Sequence, residues 1–138
     1  MRKLLLASHG PLARAMRETV QMFCGEDSRI NVLCAYVDSE SMDVEALIDR
    51  WEGGREDGDE WVIVTDIYGG SVNNAFMNRL GDRSIRLVAG MSLPLVLEVL
   101  VSLDSLDDKE LEDLVDRIGK SGTKLCVVPK EAEADDEF

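Results

Sequence analysis

Along this chain of 138 residues, short apolar runs rich in β-branched residues alternate with segments whose apolar residues recur every three or four positions. That alternation constrains the fold more than any other feature. Leu4–Ser8 is the first apolar run, and Pro11 then suits the first turn of a helix. Leu12, Met16, Val20 and Phe23 follow on one helical face, and Gly25 is a stop. Ile30–Val37 reads as a strand covered on both faces. Ser41 is an N-cap candidate for a helix with Val44, Leu47, Ile48 and Trp51 inward, closed by Gly53 and Gly54. Trp61–Thr65 is a buried strand, followed by a helix with Val72, Ala75, Phe76 and Leu80 inward and Gly81 at its end. Ile85–Ala89 is a fourth strand, and Gly90–Pro94 leads into a helix through Leu97 and Leu100. Ser105–Ile118 is amphipathic, with acids early and Arg117 late, as the helix dipole prefers. Lys124–Val128 is expected to be a fifth strand. The order predicts one α/β domain over residues 1–130 with a doubly wound, mainly parallel sheet.

Charge narrows the function. Lys and Arg total 15 against 28 Asp and Glu, a formal charge of −13. Nucleic-acid binding needs a basic face, and anionic membranes repel an acidic protein, so both classes are disfavoured. Residues 131–138 carry five acids and no base, and read as a solvated, frayed acidic tail. Cys24, Cys34 and Cys126 form no Cys-x-x-Cys pair and sit in apolar stretches, so buried free thiols in a reducing cytoplasm are expected. The apolar run at the start stops after Ala7, short of the ~7–15 residues of a signal-peptide core. The expected location is cytoplasmic.

Ligands of open α/β sheets collect beyond the carboxyl ends of the strands, near the point where strand order switches. In a sheet of order 2-1-3-4, strands one and three are neighbours. His9, after strand one, then faces Asp66, after strand three. A neutral imidazole can attack through one ring nitrogen, while a carboxylate accepting from the other fixes the tautomer and steadies the growing charge. A lone histidine is often a capping or packing residue, but a strand end before a glycine favours the chemical role. Gly69-Gly70-Ser71 precedes a helix, where free N–H groups and a hydroxyl can meet a phosphoryl oxygen; a simple tight turn with an N-cap is the plainer reading. Together these features suit phosphoryl transfer, which demands positioning and charge stabilisation. One histidine and no cysteine pair make a zinc site improbable, and no metal or other cofactor is expected. Neither phosphate-loop nor dinucleotide glycine motif is present. Ser71, His9 and Asp66 can be written as a triad, but no Gly-x-Ser-x-Gly elbow supports a hydrolase.

The chain resembles the IIA component of the bacterial sugar phosphotransferase system (PTS), mannose family. The matching pieces are Leu5–Gly10, Val64–Ser71 with Asn73 and Ala75, and Val88–Gly90 with Leu93, Pro94 and Glu98, spanning roughly residues 1–128. The resemblance implies that His9 is phosphorylated on Nε2 and that Asp66 is its hydrogen-bonded orienting partner. Ser71 and the backbone amides of Gly70 and Val72 would hold the phosphoryl group. It implies a donor, the histidine-containing phosphocarrier protein, and an acceptor, the IIB component, with the membrane components IIC and IID served indirectly. It also implies a homodimer in which the fifth strand crosses to the partner's sheet and runs antiparallel, covering an edge otherwise open to aggregation. Two positions depart from the family pattern. Val72 stands where proline is usual, which loosens the cradle without removing a donor, and Ser92 stands where asparagine is usual. Tyr68 is either a docking residue or a packed loop aromatic.

Three other readings share parts of this pattern. A receiver-like domain also ends strand three on an aspartate, but it needs an acidic pair after strand one for Mg²⁺, and here that position is Ser8-His9. A dihydroxyacetone-kinase-associated phosphoryl-transfer module lacks the Gly-Gly-Ser pattern. A regulatory relic would bind partners and transfer nothing.

Overall fold

A computed structural model describes residues 1–129, so the acidic tail at 131–138 lies outside the described residues. Four strands, β1 (Arg2–His9), β2 (Ile30–Ala35), β3 (Glu60–Thr65) and β4 (Ile85–Ala89), form one parallel sheet in the order β2-β1-β3-β4. The helices are α1 (Leu12–Cys24), α2 (Val44–Gly53), α3 (Ser71–Met77), α4 (Leu93–Ser102) and α5 (Asp108–Ser121), with a 3₁₀ turn at Leu103–Ser105 between the last two. This is the doubly wound α/β sheet that the apolar periodicity predicts.

Parallel strands with both faces covered read as continuous apolar runs, because alternate residues serve opposite cores. Leu4 and Leu6 of β1, with Val62 and Val64 of β3, pack against Ala13 and Val20 of α1 and against α4 and α5. Leu5 and Ala7, with Trp61 and Ile63, pack against Val44 and Ile48 of α2 and Val72 and Phe76 of α3. Arg79 joins the two helices of this second face, bridging to Glu45, Asp49 and Glu52. Arg2 donates to the carbonyl of Leu106 and ties β1 to the segment before α5.

Several local expectations shift. In α1 the buried residues are Ala13 and Val20, while Leu12 and Phe23 are exposed. Ser41 does not cap α2. Its buried hydroxyl accepts from the amides of Val37 and Asp38, and Asp43 caps the helix instead through the Ala46 amide. Helix α3 ends at Met77, which leaves Leu80 outside it and half-exposed. The amphipathic helix starts later than the pattern suggests, with Asp107 as its cap. Among the described residues Lys124–Val128 pairs with no strand, and Leu125, Val127 and Val128 are exposed. Cys24 and Cys126 are exposed and Cys34 is half-buried, so the thiols do not share one buried setting. Among the described residues, no helix is long and apolar enough to cross a membrane.

The turn before β4 carries a local electrostatic clasp. Ser84 donates to Asp82 through both its amide and its hydroxyl, and Arg55 donates from the loop before β3. These bonds, from Ser84 first and Arg55 second, lower the Asp82 carboxyl from 3.8 to about 2. Stability from such a depressed group is complete above the unfolded value near 3.8 and is lost as pH falls toward 2. Asp82→Asn should therefore be less stable than the parent near neutral pH, with the gap closing between about pH 4 and about pH 2. Urea unfolding at a series of pH values reads this directly; a gap constant across that range would contradict the clasp.

Candidate functional site

The carboxyl ends of β1 and β3 are adjacent, with Ala7 paired to Thr65 and the chain continuing to His9 and Asp66. Asp66 closes the gap between them. Its Oδ2 accepts from the His9 backbone amide at 2.7 Å, and its Oδ1 accepts from the Ile67 amide at 2.8 Å. The structure thus brings His9 and Asp66 together as the strand order predicts, but the contact runs through the His9 main chain. The carboxylate was expected on the imidazole. Geometry explains the difference: two strand ends meeting side by side present amides first, and a carboxylate is their natural acceptor.

Buried polar side chains shape the turn that follows His9. The hydroxyl of Ser8, with no exposed surface, accepts from the Ala13 amide at 2.8 Å and donates to the Gly10 carbonyl at 2.9 Å. Gly10 adopts φ +77°, a left-handed conformation that a glycine takes without strain. Its amide donates to the Ala35 carbonyl at 2.7 Å. Held this way, the His9 side chain is exposed at the tip of the sheet.

The loop after β3 is organised by Asn73. Its buried amide group donates to the Thr65 hydroxyl at 2.8 Å and accepts from the Gly69 amide at 3.1 Å. Asn74 adds a bond to the Gly69 carbonyl at 3.0 Å. Gly69 has φ +80°, which turns the chain into α3. Gly70 is the N-cap position and Ser71 the first helical residue, so Ser71 does not cap the helix with its side chain. Ser71 is exposed, and the side chain of Val72 is buried in the core beneath. The first amides of a helix have no partner within it, and those of Ser71 and Val72 have no backbone acceptor among the described residues. Ser92, the second departure from the family pattern, caps α4 through the Leu95 amide at 3.4 Å, a task asparagine does equally well.

One residue of the site escapes sequence reasoning. Tyr36 packs its ring on the His9 imidazole with centroids 4.5 Å apart, and its hydroxyl lies 3.3 Å from that of Ser71. It falls inside the apolar run Ile30–Val37 and reads there as one more strand residue. Around the site, Ile67 and Tyr68 are 67% and 77% exposed, so Tyr68 is not a packed loop aromatic. Of two grooves of about 590 Å³, one runs between β4 and α5 and reaches Tyr68 and Asn73 of the loop after β3, and the other lies at the opposite end of the sheet around Asp59 and Ser84. His9 lines neither. An imidazole on a rim rather than in a deep pocket suits a macromolecular reactant better than a small enclosed substrate.

The family model EIIA-man, described as PTS system fructose IIA component, matches residues 3–118. The chain is 32% identical over 136 residues to the PTS system sorbose-specific EIIA component of Klebsiella pneumoniae, covering 96% of each. It is 25% identical over 130 residues to the PTS system fructose-specific EIIA component of Bacillus subtilis, covering 91% of this chain and 87% of that one. Among solved structures it is similar to a candidate phosphoenolpyruvate-dependent sugar phosphotransferase system permease from Klebsiella pneumoniae. That match has TM-score 0.82 and 30% identity, and covers 91% of this chain and 90% of that one. The mannose/sorbose specific IIA subunit from Enterococcus faecalis matches with TM-score 0.71 and 27% identity, covering 94% and 97%.

Removing the Asn73 side chain should expose how much the loop depends on it. Asn73→Ala leaves the buried Thr65 hydroxyl without its partner, a cost of ~1–3 kcal/mol, and gives the exposed Gly69 amide over to water. Denaturant unfolding should register the loss, and hydrogen exchange at Gly69 should accelerate. Unchanged exchange at Gly69 would show that the loop is held by other contacts.

Proposed function

The chain belongs to the EIIA-man family of IIA components of the sugar phosphotransferase system, and we propose that it works there as a phosphohistidine carrier on His9. IIA components of this system work with phosphocarrier and IIB proteins. In this reading the donor is the phosphorylated histidine-containing phosphocarrier protein. The His9 Nε2 lone pair attacks its phosphorus in line, a new N–P bond forms, and the donor's N–P bond breaks. A nucleophile of the IIB component then attacks the same phosphorus, its own bond to phosphorus forming as the His9 N–P bond breaks, and the group passes from there to sugar entering through the membrane components IIC and IID.

The observation that carries this reading is the exposed His9, fixed at a strand end by Asp66. An exposed imidazole can be approached by two successive protein partners. Ile67 and Tyr68 supply apolar area for their docking. Asp66 acts at two levels. It locks the main chain that aims the ring, and in this reading its charge offsets the positive charge that the imidazole takes on during attack. A carboxylate oxygen has a second lone pair, so Oδ2 can bond the His9 amide and also take the ring Nδ1–H when the side chain turns. The Ser71 hydroxyl and the amides of Ser71 and Val72 border the space for the phosphoryl oxygens, while the Gly70 amide, expected there too, already donates to the Ile67 carbonyl at 3.1 Å. The carrier works in the cytoplasm, where its phosphorylated donor is made.

The exposed segment Lys124–Val128 belongs to the same reading. The outer edge of β4 has no strand beside it among the described residues, and the segment's apolar side chains have no cover. A second copy resolves both, its fifth strand lying antiparallel on this edge.

His9→Ala should fold as the parent does and take no label from phosphoenolpyruvate, the general phosphotransferase proteins and this chain combined. Label retained on that variant would remove His9 from the mechanism. Asp66→Asn should slow phosphoryl uptake by roughly 10²-fold or more, since an amide cannot stabilise an imidazolium; an unchanged rate would leave Asp66 a purely structural role. Light scattering at micromolar concentration should give a dimer mass, and a monomer mass would count against strand exchange.

A further inference from the structure

We propose that Tyr36 is a positioning residue for phosphoryl transfer, holding the His9 imidazole by stacking and the Ser71 hydroxyl by a hydrogen bond. This rests on the reading of His9 as the phosphoryl acceptor.

An exposed histidine at a strand end has little to fix its side-chain torsions. Here the Tyr36 ring lies on the imidazole, 4.5 Å between centroids and tilted by 41°. Tyr36 follows Ala35, the residue paired with His9 across β1 and β2. A strand conformation at Tyr36 would carry the ring on along the sheet. Instead its backbone takes φ +63°, the only positive value at a non-glycine residue among those described. A tyrosine adopts this region at an energetic cost, so it persists only where surrounding contacts over-determine it. Those contacts are present. The Tyr36 amide donates to the Ser41 carbonyl at 2.8 Å, and the buried Ser41 hydroxyl accepts from Val37 and Asp38 at 2.9 and 3.0 Å. The turn is therefore built to swing one aromatic ring over His9.

The other end of the ring reaches across to α3. The Tyr36 hydroxyl donates to the Ser71 oxygen at 3.3 Å. A serine hydroxyl that accepts this bond keeps its own proton free, and polarisation along the chain makes that proton a better donor. The proton is then available to a phosphoryl oxygen on His9. One side chain thus links the nucleophile, from β1, to a donor on α3.

Two variants separate these tasks. Tyr36→Asn suits the left-handed backbone and removes the ring, while Tyr36→Phe keeps the ring and removes the hydroxyl. With phosphorylated carrier protein as donor, Tyr36→Asn should lower kcat by about 10–10²-fold with KM nearly unchanged, the signature of lost positioning rather than lost docking. Tyr36→Phe should fall between it and the parent. In proton NMR spectra the His9 ring resonances should lose the ring-current displacement in Tyr36→Asn and keep it in Tyr36→Phe. A Tyr36→Asn protein with parental kcat, or with a raised KM alone, overturns the proposal while a label on parental His9 leaves the carrier reading standing. A Tyr36→Phe protein at the parental rate overturns the hydroxyl's part. A parent that takes no label on His9 overturns the carrier reading and this proposal with it, even where the NMR displacement shows the stacked rings.

Discussion

Two hydrogen bonds to one carboxylate hold the functional end of this molecule together. Asp66 accepts from the amide of His9 and from that of Ile67, so the ends of β1 and β3 are pinned to a single rigid group. Both amides lie beyond the last regular pairing of these strands and would otherwise depend on water. A charged acceptor makes each bond stronger than a neutral one. In the proposed reaction the same charge, bonded to the His9 main chain, would offset the positive charge that develops on the imidazole.

The rest of the site relies on the same device, a short polar side chain spent on backbone groups. Ser8 fixes the turn after β1, Asn73 the loop after β3, and Ser41 the loop after β2. All three are buried, and each joins groups that the sheet brings close but leaves unpaired. Three loops from three strands then meet at the carboxyl end of the sheet with defined shapes. Tyr36 and Ser71 couple the second and third loops around His9. The carrier role proposed for His9 would gain from this arrangement, since a residue that meets two partners in turn must be both exposed and oriented. Exposure comes from the loop tip, and orientation comes from buried polar groups beneath it.

Much of this was legible in the residues. Parallel strands covered on both faces announce themselves as apolar runs, and all four strands read that way, although the run Ile30–Val37 overshoots β2, which ends at Ala35. The switch-point rule then placed His9 opposite Asp66 without any structure. What could not be read has physical reasons. The choice between Ser41 and Asp43 as the cap of α2 depends on which oxygen the loop needs more, and the loop claimed Ser41. Phe23 fits the periodicity of α1, but it falls in the last turn of the helix, beyond Val20, the last residue the core covers, and is exposed. Tyr36 was hidden because a left-handed turn at a tyrosine has no signature in propensity; the Ser41 contacts that enforce it are tertiary. The role of Asp66 was half-visible: its partner was identified from strand order, but not the atom it would bind.

The central claim is that the phosphoryl group travels on one particular nitrogen of His9. Nitrogen-15 and phosphorus-31 NMR of the chain, labelled in its single histidine and phosphorylated by its partners, reads that nitrogen directly. The account predicts a phosphorus-coupled resonance at Nε2 with the proton retained at Nδ1. Coupling at Nδ1, or a histidine spectrum untouched while phosphorus appears elsewhere on the chain, would contradict it.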